Sequence, residues 1–134
     1  MDPFSLTVGT ISILQAVTSC LKLAKKHVGP SALSSAEAEN LMKTIYKFHG
    51  AVRNFQTHLE LYEDDETRIA SLDYLKPVVN RSLDSFHIVK DYLSSGLAAK
   101  TFRGSKFDRK LKASLKSIDD ASKLFNMAVL ADQQ

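Results

Sequence analysis

The chain has 134 residues, 44% of them hydrophobic and 25% charged, with a net charge of +3. That is the length of one domain with enough apolar content to bury a core, which excludes a disordered chain and a small disulfide-stapled fold. The single cysteine, Cys20, rules out an internal disulfide and makes a reducing compartment the default.

The first segment reads "FSLTVGTISILQAVTSCL", Phe4 to Leu21, and no charged residue lies between Asp2 and Lys22. A secretory signal would open on positive charge, and here the residue before the stretch is acidic. "VTSC", Val17 to Cys20, has the look of a lipoprotein box but lacks the same basic start. A permanent transmembrane helix needs about 20 predominantly apolar residues. Phe4, Leu6, Val8, Ile11, Ile13, Leu14, Val17 and Leu21 are strongly apolar. Together they favour insertion by about 2 to 5 kcal/mol. Ser5, Thr7, Gly9, Thr10, Ser12, Gln15, Thr18 and Ser19 erode most of that, so insertion is near balance. On a helical projection Ser5, Gly9, Ser12, Gln15, Ser19, Lys22 and Lys26 form one stripe, and the rest is mostly apolar. This helix is expected to be the most buried and central one, with Ser12 at its least buried edge. Its small polar groups can bond back to their own helix.

The second segment opens on Ser34 and Glu37, a capping-box pattern. Ala38, Leu41, Ile45, Phe48, Val52, Phe55, Leu59 and Tyr62 then alternate steps of three and four, a heptad seam that packs by one side. The third segment places Asp73 as N-cap and Pro77 in the first turn, where a missing N–H costs nothing. Leu75, Val79, Leu83, Phe86, Val89 and Leu93 line its inner face, and a short turn over 69–72 precedes it. The fourth segment is expected to start at Ser105, capped with Asp108, and to turn Phe107, Leu111, Leu115, Ile118, Phe125 and Val129 inward. No stop signal follows "VLADQQ", so a longer protein with a C-terminal signalling region is expected. No strand-like alternation persists. The fold class is all-α: an up-down bundle of about four long helices, spanning 1–134 as one domain.

Charge is unevenly spread. Residues 57–73 carry a net −5 and residues 100–116 a net +6, and Lys22, Lys25 and Lys26 form a second basic cluster. Such runs are either solvated helix faces or attractors of phosphate. Catalytic and metal constellations are not evident. The glycines are isolated, and His27, His49, His58 and His87 lack metal-ligand spacing. Glu63 to Glu66, "EDDE", lacks the spacing of a calcium loop. Cys20 has no partner base. An enzyme is not expected, and neither is a cofactor or a catalytic residue. In the basic segment only Phe102 and Phe107 interleave as aromatics, so no nucleic-acid partner is assigned.

The opening "MDPFSLTVGTISILQAVTSCLKLAKK", with "LDYLKPVVNRSLDSF" and a basic fourth helix after it, resembles the fungal HeLo-like domains. These form the N-terminal part of fungal STAND, or NOD-like receptor, and cell-death execution proteins. The resemblance spans the whole chain and is compositional rather than catalytic. It implies a cytoplasmic domain that moves to the plasma membrane and permeabilises it during programmed cell death, heterokaryon incompatibility and innate immunity. Activation would come by oligomerisation, driven through amyloid signalling from an upstream NOD-like receptor by a region beyond this chain. The membrane-active helix would comprise Phe4, Leu6, Val8, Gly9, Ile11, Ser12, Ile13, Leu14, Val17 and Leu21. Lys22, Lys25, Lys26, Lys106, Arg109, Lys110 and Lys112 would contact headgroups, anionic lipids preferred. The alternative is a non-lytic adaptor domain whose first helix stays in the core.

Overall fold

The protein is described by a computed structural model, with backbone given for residues 3–27, 35–62, 64–94 and 96–132. Side chains are described for residues 6–24, 39–62, 64–68, 70–94 and 109–131. Among the described residues five α-helices and one 3-10 turn follow in order: α1 (Pro3–His27), α2 (Ser35–Leu61), α3 (Glu66–Ala70), the turn Asp73–Leu75, α4 (Lys76–Ser94) and α5 (Gly96–Asp132). No strand occurs among the described residues. The expected all-α bundle is present, with α1, α2, α4 and α5 as its long members.

The seam of α2 packs as its spacing requires. Leu41, Ile45, Phe48, Val52, Phe55 and Leu59 are all buried, with polar residues between them at the surface. The inner residues of α4 and α5, among them Val79, Phe86, Val89, Leu93, Leu115, Ile118, Phe125 and Val129, close on that seam. Phe48 sits at the centre, its ring 5.1 Å from Phe86 and 6.0 Å from Phe125, and Phe55 lies 5.0 Å from Phe125. Rings at these separations and tilts gain about 0.5–1.5 kcal/mol per pair beyond the burial of their area.

The helices alternate in direction, but consecutive helices are not always neighbours. α1 packs on α4 and α2, and α5 packs on α2 and α4. α2 and α4 therefore face each other across the core, where Phe48 meets Phe86. α1 and α4 run the same way, with Gly9 beside Val79 and Cys20 beside Phe86. α2 and α5 also run the same way, with Lys47 opposite Asp119 and Phe55 opposite Phe125. The segment that allows this crossing is short. The backbone N–H of Arg68 donates to Asp65 Oδ1 at 3.0 Å, so Asp65 caps α3, which begins at Glu66. Arg68 stacks over the ring of Tyr62 at 4.0 Å, tying α3 to the end of α2.

Three expectations are corrected. α5 begins at Gly96 rather than Ser105, and the helix runs through Gly104. A glycine inside a helix costs only about 1 kcal/mol, and no proline follows Pro77 to break the run. Asp73 opens a 3-10 turn, so α4 starts at Lys76, with Pro77 in its first turn as expected. α1, the most apolar of the long helices, forms one side of the bundle rather than an axis enclosed by the others. Four helices of similar girth enclose side chains between them, and no helix occupies the middle. The capping roles of Ser34, Glu37 and Asp108 and the inward placement of Phe107 lie outside the described residues and side chains.

Candidate functional site

The outward face of α1 is the feature the bundle does not use. Inward, Leu6, Thr10, Ile13, Val17, Cys20 and Ala24 form a single buried stripe, stepping by three and four. The Thr10 hydroxyl donates to the Leu6 carbonyl at 2.8 Å, and that of Thr18 to Leu14 at 2.9 Å, each four residues back. These hydroxyls thus make no demand on neighbouring helices or on solvent, as their small size allows. Gly9 lets the helix come close to α4: a Cβ there would lie 2.7 Å from Val79 Cγ1.

Outward, Val8 and Ile11 are 40% and 42% exposed, and Gln15, Thr18 and Lys22 continue the same face. Ile11, Leu14, Gln15, Thr18 and Ser19 line a shallow groove of about 410 Å³ against Gln56 of α2. Over Leu6–Ala24 the helix is long and apolar enough to cross a membrane, yet only 28% of that window is buried. The less apolar α4 buries eight of its nineteen residues. Leu14, Ala16, Leu21 and Leu23 also pack against the core, so among the described side chains the apolar surplus of α1 is Val8 and Ile11. The nineteen residues rise about 28 Å, close to the hydrocarbon thickness of a bilayer.

Of the residues expected in a membrane-active helix, Leu6, Ile13 and Val17 are buried, and Gly9, Ser12, Leu14 and Leu21 are half-buried. Only Val8 and Ile11 face out freely, and the side chain of Phe4 lies outside the described residues. Ser12 is not at the least buried edge; Ile11 and Gln15 are more exposed. The sequence projection took the polar stripe as the outward one, whereas the packing surface of α4 draws Gly9 and Ser12 partly inward.

The cations expected to contact headgroups belong to segments that share one end. The C-terminal end of α1 and the N-terminal half of α5 lie at the same end of the bundle, given the helix directions above. Lys22, Arg109, Lys110 and Lys112 are exposed there. Lys25, Lys26 and Lys106 belong to the same helices, but their side chains lie outside the described ones. The acidic residues Glu60, Asp64, Asp65 and Glu66 are exposed at the opposite end. The two clusters cannot meet within one copy.

Cys20 is fully buried, with Sγ 3.7 Å from the carbonyl oxygen of Phe86. Burial pushes its thiol up to about 11, against a smaller opposing effect of the Lys90 ammonium. It is a protonated packing group, not a nucleophile. His58 is buried edge-on against Tyr62 at 5.0 Å, and no group of three or more His, Cys, Asp or Glu forms a metal cage among the described residues.

Sequence reasoning missed a second cluster. Lys43 and Lys47 of α2 share a groove with Lys112 and Lys116 of α5. Their i, i+4 spacing on the polar flank of each seam was the available signal. What no single segment discloses is that α2 and α5 lie side by side. No protein family, curated protein or solved structure matches this chain.

Proposed function

We propose that this bundle is a membrane-targeting domain of the HeLo-like kind, which disrupts a bilayer when activated. The observation that carries the reading is the partly apolar outer face of α1, uncharged up to Lys22, on a helix of membrane-spanning length. In the resting bundle α1 docks through its buried stripe. On activation the same helix exchanges α4 and α2 for lipid. The hydroxyls of Thr10 and Thr18 add little to the cost of entering lipid, because they are already satisfied within the helix; the core faces of α4 and α2 that α1 covers must be re-covered in the activated assembly. The exposed cations Lys22, Arg109, Lys110 and Lys112 assist at anionic headgroups, each worth about 1 kcal/mol near the surface. Oligomerisation through a receptor-linked region beyond this chain supplies activation, and the domain acts from the cytoplasm at the plasma membrane.

Dye release from vesicles tests this. Leakage is expected from anionic vesicles, weakening as salt shortens the screening length toward ~3 Å at 1 M. No leakage from anionic vesicles, even with the chain crowded on their surface through a lipid-linked tag, would favour the adaptor reading, in which α1 never leaves the core.

A further inference from the structure

The groove between α2 and α5 holds about 430 Å³ and is lined by Asn40, Lys43, Thr44, Lys47, Lys112 and Lys116, with Leu115 and Asp119 completing it. Two lysines one helical turn apart on each wall face a shared concavity, because the two helices run side by side in the same direction. Only one of the four is neutralised: Lys47 Nζ meets Asp119 Oδ1 at 2.9 Å. Lys43, Lys112 and Lys116 have no ion pair among the described residues. The three unpaired lysines are solvent-exposed along one groove, a local concentration of positive charge that attracts an anion. Thr44 is half-buried and adds a hydroxyl, and Asn40 adds an amide, which suits oxygen-rich ligands.

We infer that this groove binds a compact polyphosphate, a small molecule or headgroup carrying two or more phosphate groups. Lysine is a point-charge donor that suits phosphate without requiring planar geometry. A single carboxylate would satisfy one ammonium and leave the others facing each other, whereas a polyphosphate spans both walls. The groove contains its own competitor. Asp119 occupies Lys47, also meeting Lys123 at 3.5 Å, and an entering phosphate displaces that carboxylate. Hydrogen bonding to Lys47 holds the Asp119 carboxyl below the usual carboxylate range, so it stays charged at neutral pH. This site goes beyond the membrane reading, for it needs no movement of α1.

The test is calorimetric titration of the whole chain with tripolyphosphate at low salt. Saturable one-to-one binding is expected. Changing Lys43→Gln together with Lys112→Gln should weaken it by about 25-fold, at about fivefold per cation. The exposed pair Arg53→Gln with Lys90→Gln, outside the groove, should leave it within about twofold. Asp119→Asn should tighten it several-fold, since the competing carboxylate is gone; a lysine cluster with a merely structural role would give no such gain. Absence of saturable binding, or equal loss in the two double variants, would overturn the inference. Vesicles then separate the sources. Preference for a bisphosphorylated inositol lipid over phosphatidylserine at matched charge, lost in Lys43→Gln with Lys112→Gln, assigns the phosphate to a lipid. Tripolyphosphate binding without that preference assigns it to a soluble ligand. Leakage that persists without polyphosphate binding would sink this site alone, and binding without leakage would sink the membrane reading alone.

Discussion

Ile11→Lys separates the two demands that α1 must meet. Ile11 is 42% exposed on the outer face, so a lysine there can run its stem over the same surface and keep its ammonium in water. The bundle loses little, within the ~0.5 kcal/mol usual for surface substitutions. In a bilayer the change is large. An apolar contribution of about −0.3 to −0.6 kcal/mol is replaced by one of about +2.5 to +3.5 at a helix centre. The swing is about 3 to 4 kcal/mol there. Residue 11 lies four residues from the middle of Leu6–Ala24, or about 6 Å along the axis, and the penalty shrinks toward the interface. A net of about 2 to 3 kcal/mol remains, or roughly 30- to 150-fold in the inserted population, at 1.4 kcal/mol per tenfold. The assay is dye release from anionic vesicles at matched bound protein, with circular dichroism melts confirming the bundle. A variant with an unchanged melt and leakage reduced by more than tenfold is expected. An unchanged melt with full leakage would refute the reasoning, because the outer face of α1 would then have no contact with lipid. Ser12, the choice on sequence grounds, is the poorer probe: it is half-buried, and a lysine there would press on the bundle.

Other consequences follow from the packing. Cys20 has its thiol raised from 9.0 to about 11, so the protonated form is favoured in the folded state. Its contribution is present in full below pH 9 and is lost as the pH rises toward 11, by on the order of 2 kcal/mol; melts at pH 8 and 11 should differ less in Cys20→Ala than in the parent chain. Gly9→Ala drives a methyl against the stiff, β-branched Val79. Overpacking of about 1–3 kcal/mol exceeds the ~1 kcal/mol gained in helix propensity, so the melting temperature should fall, and Val79→Ala in the same chain should restore part of it. Phe48→Ala removes the ring between Phe86 and Phe125 and should cost about 3–5 kcal/mol in a denaturant titration.

Much of the fold was legible because its long seams are periodic. Leu41 to Leu59 on α2 and Val79 to Leu93 on α4 step by three and four, and the buried faces follow those steps. The start of α5 was not legible, because Gly104 and the serine after it imitate a boundary that backbone hydrogen bonding overrides. The spatial order of the helices was hidden as well. α2 and α4 lie opposite each other rather than side by side, and nothing in the connection between them encodes that. The site suffered from the same gap. The uncharged run of α1 could be read directly, but its outward sector depends on which neighbours cover it. Val79 beside Gly9 pulls the polar stripe partly inward and leaves Val8 and Ile11 outside. The lysine groove needed two helices with no sequence proximity to be placed in contact.

The central claim is that the outer face of α1 enters lipid. An environment-sensitive fluorophore placed at Ile11→Cys, in a Cys20→Ala background, tests it most directly. With anionic vesicles the account predicts a blue-shifted, brighter emission that is quenched by spin labels deep in the acyl chains. The same label on Asn126, exposed on α5, should stay in water. Emission from position 11 that stays water-like and unquenched while the protein is bound to the vesicles would contradict the account.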